Sequence, residues 1–192
     1  MPEEPKLHDL DARTLRGLAH PLRMQLLSTL RRDGPATASQ LAEKLGESSG
    51  ATSYHLRQLA AYGFVEDAPE HGKGRERWWR PVHQGVRFDE SLLRNTDPAV
   101  RGAASMFMHE VANWHTQELT TFLGTRHEWS EEWVGASDLS DFTLRLTPDV
   151  ASELNEKIHD LINSYRAHAA SEDTPRSEQV RLHTHVFPIT TD

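Results

Sequence analysis

The chain has 192 residues, 36% of them hydrophobic and 26% charged, with a net charge of −8; this is the balance of one folded domain or two small ones rather than of a disordered tract. It contains no cysteine, which excludes disulfides and thiolate metal sites and fits a reducing, cytoplasmic setting; no apolar run approaches a membrane span. The charge is unevenly spread: residues 1–83 carry 12 Lys and Arg against 11 Asp and Glu, and residues 84–192 carry 9 against 18, so the overall acidity leaves room for a local basic surface on the first half.

The charged, proline-broken start Met1-Pro2-Glu3-Glu4-Pro5-Lys6 is not a secretory signal, and residues 1–9 read as a loose tail. Residues 10–19 suggest a short helix with Leu10, Leu15 and Leu18 on one side. Pro21 suits the first position of the next helix, in which Leu22, Leu26, Leu27 and Leu30 recur at helical spacing until Asp33-Gly34-Pro35 stops it. A third helix follows. Thr37 with Gln40 three residues on is a capping box, Leu41, Ala42 and Leu45 form the core face, and Gly46 ends the helix at a tight turn.

Ser48 then caps a fourth helix, with Ala51, Thr52, Leu56 and Leu59 inward by spacing and Tyr62-Gly63 at its close. Its leading turns hold small and hydrogen-bonding residues, as a helix needs if its backbone is to enter a DNA major groove. Ser48 and Ser49 can offer hydroxyl and N–H groups to a phosphate at the helix N-terminus. Gly50, Ser53 and Tyr54 are placed for base edges, and Arg57 for a guanine or a phosphate. His55 reads as structural. The bland alternative is a capped, solvated surface helix.

Phe64-Val65-Glu66 predicts a short strand, residues 70–75 a glycine-bearing hairpin tip, and Arg75 to Arg80 the return strand. Lys73, Arg75 and Arg77, around Gly72 and Gly74, are candidate phosphate contacts. Trp78 and Trp79 cannot both face inward: one belongs to the core, and the other is expected against the first helices or the C-terminal part. Helices followed by such a hairpin make a winged helix-turn-helix over residues 10–83, an α+β fold rich in helix.

Residues 84–98 read as a connector and 99–192 as a region for dimerisation and for any effector. A long helix is expected from about Ala99 to Leu123, where Val100, Ala104, Phe107, Val111 and Trp114 form a narrow seam suited to packing between subunits. The rest reads strand–helix–strand. Phe142, Leu144 and Leu146 alternate, Thr147-Pro148-Asp149 starts a helix with the buried stripe Leu154, Ile158, Leu161 and Tyr165, and residues 179–187 alternate again.

Taken as a set, Leu18-Ala19-His20-Pro21-Leu22-Arg23 with Leu26-Leu27, Gln40-Leu41-Ala42, Leu45-Gly46, Ser48 to Leu59, Gly63-Phe64-Val65 and His71-Gly72-Lys73-Gly74-Arg75 with Trp78 and Trp79 resemble the ArsR-type winged-helix regulators, over roughly residues 12–82. The resemblance implies a homodimer that binds a palindromic operator in double-stranded DNA and represses transcription, in some members until a ligand or metal binds. The thiolate metal motif of some members is absent, and the second half matches no sensor motif. Histidine leaves a metal-responsive alternative open: His115 and Glu118 lie one helical turn apart, and His183 and His185 share a strand face. A winged-helix module that binds protein without reading DNA is the other alternative. No cofactor is expected. No glycine-rich phosphate loop, nucleophile elbow or HExxH points to catalysis.

Overall fold

The computed structural model describes residues 6–71, 76–171 and 174–190. It is mainly helical with two small sheets, an α+β chain, and it divides into two units, residues 4–119 and residues 120–192.

In the first unit, local chemistry sets the helix starts. Helix α1 (Ala12–Leu18) opens on a reciprocal cap: Asp11 Oδ1 accepts the Thr14 N–H at 2.7 Å and Thr14 Oγ1 accepts the Asp11 N–H at 2.9 Å. Helix α2 (Pro21–Asp33) begins with Pro21, and the His20 Nδ1 accepts the Leu22 N–H at 3.2 Å. Helix α3 (Ala38–Leu45) carries the expected capping box between Thr37 and Gln40 and stops at Gly46, whose φ of 68° is left-handed. Helix α4 spans Ser49–Ala61 with Ser48 as its cap.

The larger sheet joins β2 (Ala36–Thr37), β3 (Val65–Asp67) and β4 (Trp78–Pro81) in the order β2-β4-β3, all antiparallel. Ala36 and Asp67 flank Trp79 on either side. The expected hairpin is therefore real, but it gains a third strand from the segment between α2 and α3. A second sheet pairs β1 (Leu7–Asp9) in parallel with β5 (Gly85–Arg87). Both of its strands correct the sequence reading, which made the first a loose tail and the second a connector. Each is only three residues long, and neither has an amphipathic period that could announce it.

One apolar core runs through this unit. Leu15, Leu26, Leu56, Leu59 and Phe64 are fully buried, and Trp79 closes one side. Burying each such side chain contributes about 1.5–3 kcal/mol. Helix α5 (Pro98–Thr125) adds Val100, Ala104 and Phe107 to the same core, and the Phe107 ring stacks on Phe88 at 5.4 Å. The seam read as a contact between subunits is thus spent, over its first three members, inside its own chain. Val111 and Trp114 are half-buried. An ion pair between Arg16 and Asp97 ties α1 to the start of α5.

The second unit contains α6 (Glu131–Ala136) and α7 (Pro148–Tyr165), the latter capped by Thr147 with Pro148 first, as expected. The flanking strands are a correction: residues 142–146 and 179–187 form no strand. Alternation alone cannot make a strand, because its backbone groups need a ladder partner. The stripe on α7 is also less covered than expected, with Leu161 and Tyr165 exposed and Leu154 and Ile158 half-buried. Among the described residues, no helix is long and apolar enough to cross a membrane.

Candidate nucleic-acid interface

The α3–turn–α4 unit positions the site. Gly46 turns the chain through its left-handed conformation, and the Glu47 N–H closes back on the Ala42 carbonyl at 2.9 Å. The Ser48 Oγ then accepts the Ala51 N–H at 3.2 Å. One donor at the helix start is thereby satisfied, while others remain directed outward. Thr52, Leu56 and Leu59 anchor α4 in the core. Gly50, Tyr54 and Arg57, a turn apart, lie exposed on the opposite side with Ser53 half-buried beside them; Ser48 and Ser49 are exposed at the tip. Tyr54 is 52% exposed although aromatic. Among the described residues Arg57 makes no salt bridge. The sequence-predicted contact residues of this helix therefore form one continuous face.

Beneath that face lies a support of which sequence reasoning named only His55, as a structural residue. The His55 ring packs on Tyr54 at 5.1 Å and on His20 at 4.3 Å. Arg23 sits alongside, donating from Nη2 to the Arg16 carbonyl at 2.9 Å. Burial is the largest cause that holds both imidazoles below their ordinary pKa; the Arg23 charge adds to it at His20, and His20 and then Arg23 add to it at His55, while Glu47 opposes the shift. The neutral His20 is also what caps α2, since only an unprotonated Nδ1 accepts a hydrogen bond. For His20 the sequence signal was its place directly before Pro21.

The hairpin is a scaffold of its own. Trp79 is buried, and Arg77 lies over its ring at 4.1 Å while pairing with Asp67 at 3.1 Å. Arg77, expected as a free phosphate contact, is thus already engaged twice within the hairpin. Trp78, half-buried, stacks on His71 at 5.8 Å. Arg80 bridges Glu66 and Glu70 at 2.9 and 2.8 Å. Lys73 and Arg75 lie outside the described residues.

His115 and Glu118 lie on α5, and the His183 and His185 rings stack 6.4 Å apart. Among the described residues no group of three or more metal-ligating side chains converges.

A helical core, a turn at Gly46, a presented helix and a β-hairpin beside it define a winged helix-turn-helix. Residues 18–68, just over a quarter of the chain, match the family of helix-turn-helix domains, and this stretch lies within the span that resembles ArsR-type regulators. Among solved structures, the chain is similar to the homodimeric winged helix-turn-helix DNA-binding domain of a possible ArsR-family transcriptional regulator from Mycobacterium bovis, with 23% identity, a TM-score of 0.34, and coverage of 56% of this chain and 82% of that one. It is also similar to the transcriptional repressor BigR from Xylella fastidiosa, with 20% identity, a TM-score of 0.33, and coverage of 53% and 84%. A transcriptional regulator from Thermotoga maritima aligns over 83% of this chain and 85% of its own at 12% identity and a TM-score of 0.31. No curated protein matches the chain.

Proposed function

We propose that this chain is a sequence-specific DNA-binding transcriptional regulator of ArsR type, a homodimeric repressor that acts by occupying a palindromic operator. The observation that supports this most is the exposed face of α4, in which Gly50, Ser53, Tyr54 and Arg57 stand over the buried anchors Thr52, Leu56 and Leu59. Small residues at the leading turns let the helix backbone approach base edges, and Ser48 and Ser49 at its positive end suit a phosphate. Two copies would set their α4 helices in successive major grooves roughly 34 Å apart. The hairpin would brace the flanking backbone through Lys73 and Arg75, with Arg77 holding it in shape. Release by a small ligand would follow if that ligand favours a geometry in which the two helices no longer match the groove spacing.

Binding to DNA from the chain's own upstream region, titrated with salt, tests the reading. Affinity should fall steeply as salt rises, because each neutralised phosphate releases counterions. Combining Tyr54→Ala with Arg57→Ala should abolish sequence preference while leaving a weaker, salt-sensitive binding. Salt-independent binding, or discrimination that survives the double substitution, removes α4 as the reading helix. The net charge of −8 favours the second reading, a winged helix that docks on protein; in the same assay it gives no salt-dependent DNA complex.

A further inference from the structure

Where β1 and β5 pair, three elements of the first unit bring cationic side chains together. Arg31 stands in the last turn of α2, His8 in β1, and His83 between β4 and β5. The Arg31 Nε donates to the His83 carbonyl at 3.0 Å. The His8 and His83 rings meet edge-on at 4.8 Å. Lys6 adjoins them: its carbonyl accepts the Gln84 N–H at 3.0 Å, and its charge acts on His83.

Among the described residues no carboxylate pairs with Lys6, His8, Arg31 or His83. Asp33, close to Arg31 in the chain, is paired with Arg32 and Lys44, and Asp9 is paired with Arg87. The charges that act on His83 are those of His8, Lys6 and Arg31, all of one sign. Burial lowers the Arg31 pKa to about 10, which leaves the guanidinium charged at neutral pH. Arg31 Nη2, His83 Nδ1 and His8 Nε2 are shielded from solvent and have no hydrogen-bond partner among the described residues. Buried nitrogens without partners call for an ion or a water, and a buried cation without a counter-charge calls for an anion.

We propose that Arg31, His8, His83 and Lys6 form a binding site for a phosphate-type oxyanion, either free phosphate or the phosphoryl group of a small molecule. The guanidinium fork alone would satisfy a planar carboxylate; further donors from two other elements suit the several oxygens of a tetrahedral anion. A neutral imidazole donates from one of its nitrogens, so both rings serve without being charged. Because the nitrogens are shielded, the anion enters as β1 shifts, and β1 is held by a ladder of only three residues. His8 also packs on Phe64 at 5.1 Å, and Phe64 is fully buried just beyond the end of α4. An anion here therefore borders the base of the presented helix. The assignment is separate from the operator reading: it concerns the free chain, and its failure leaves the α4 face untouched.

The test titrates the full chain with inorganic phosphate against chloride at matched ionic strength, by calorimetry and by amide hydrogen exchange. Phosphate should bind saturably, one ion per chain, and slow exchange at residues 7–9 and 85–87. Phosphate also stabilises folds in general through its exclusion from their surface, so the variants are the reference. Arg31→Met and His83→Gln should each weaken binding at least about tenfold and remove the local protection, in chains whose α3 exchange shows them folded. His8→Gln, at a half-buried position, gives the same readout if Arg31→Met does not fold. Glycerol phosphate separates the two sources. Tighter binding than inorganic phosphate assigns the phosphoryl group of a small molecule, weaker binding assigns the free ion, and either supports the site. No saturable binding of either anion overturns the proposal. So does binding that survives both Arg31→Met and His8→Gln, or acetate that binds as tightly as phosphate.

Discussion

The Tyr62 ring lies directly against the Gly17 backbone, so that a Cβ at Gly17 would collide with the ring. Gly17 sits on the inner face of α1 and Tyr62 at the C-terminal end of α4, so this contact sets how the presented helix leans on the rest of the domain. Gly17→Ala should destabilise the first unit by about 1–3 kcal/mol through overpacking. Pairing it with Tyr62→Ala should recover part of the loss, which a double-mutant cycle in denaturant would show.

Glu47 is exposed and immediately precedes the Ser48 cap. If a phosphate docks at that helix end, its neighbour's carboxylate works against it. Glu47→Gln should therefore strengthen DNA binding about three- to tenfold at low salt, with the gain shrinking as salt screens it. An affinity that does not move would place the phosphate elsewhere.

The His20–His55 pair predicts how stability depends on pH. Both pKa values lie below the ordinary 6.5 in the folded chain, burial being the larger cause. The unfolded chain therefore binds protons first as pH falls, so the contribution is complete above 6.5 and is lost on acidification through 6.5 towards the lower folded values. Denaturant midpoints should drop between about pH 7.5 and pH 5.5. Replacing the pair by His20→Asn, which still caps α2, and His55→Gln should flatten that part of the profile.

Phe107 stacks on Phe88 and is 5% exposed. Phe107→Ala should cost about 3–5 kcal/mol of unfolding free energy in the first unit. That loss should be the same at every protein concentration, because the side chain packs within its own chain. A concentration-dependent loss would return the α5 seam to the subunit interface.

The helices of the winged domain were legible because their signals are local. The Thr37–Gln40 capping box, Pro21 at a first position, Gly46 at a turn and the leucines of α2 to α4 act within a few residues of each other, so spacing alone reveals them. The face of α4 followed, since fixing Thr52, Leu56 and Leu59 inward places Gly50, Tyr54 and Arg57 outward. The pairing of Leu7–Asp9 with Gly85–Arg87, the third strand at Ala36–Thr37 and the capture of Arg77 by Asp67 and Trp79 were not legible. Each joins segments through space, and no periodicity within either segment names its partner.

The amino-acid order by itself determined which stretches coil into helices and which side of each is apolar, because capping and 3.6-residue spacing depend only on near neighbours. Only the tertiary structure decided what those apolar sides meet. It gave Val100, Ala104 and Phe107 to the chain's own core and left Phe142, Leu144 and Leu146 in water. Hydrophobic burial has no direction of its own; the three-dimensional arrangement of elements chooses the surface against which each stripe closes.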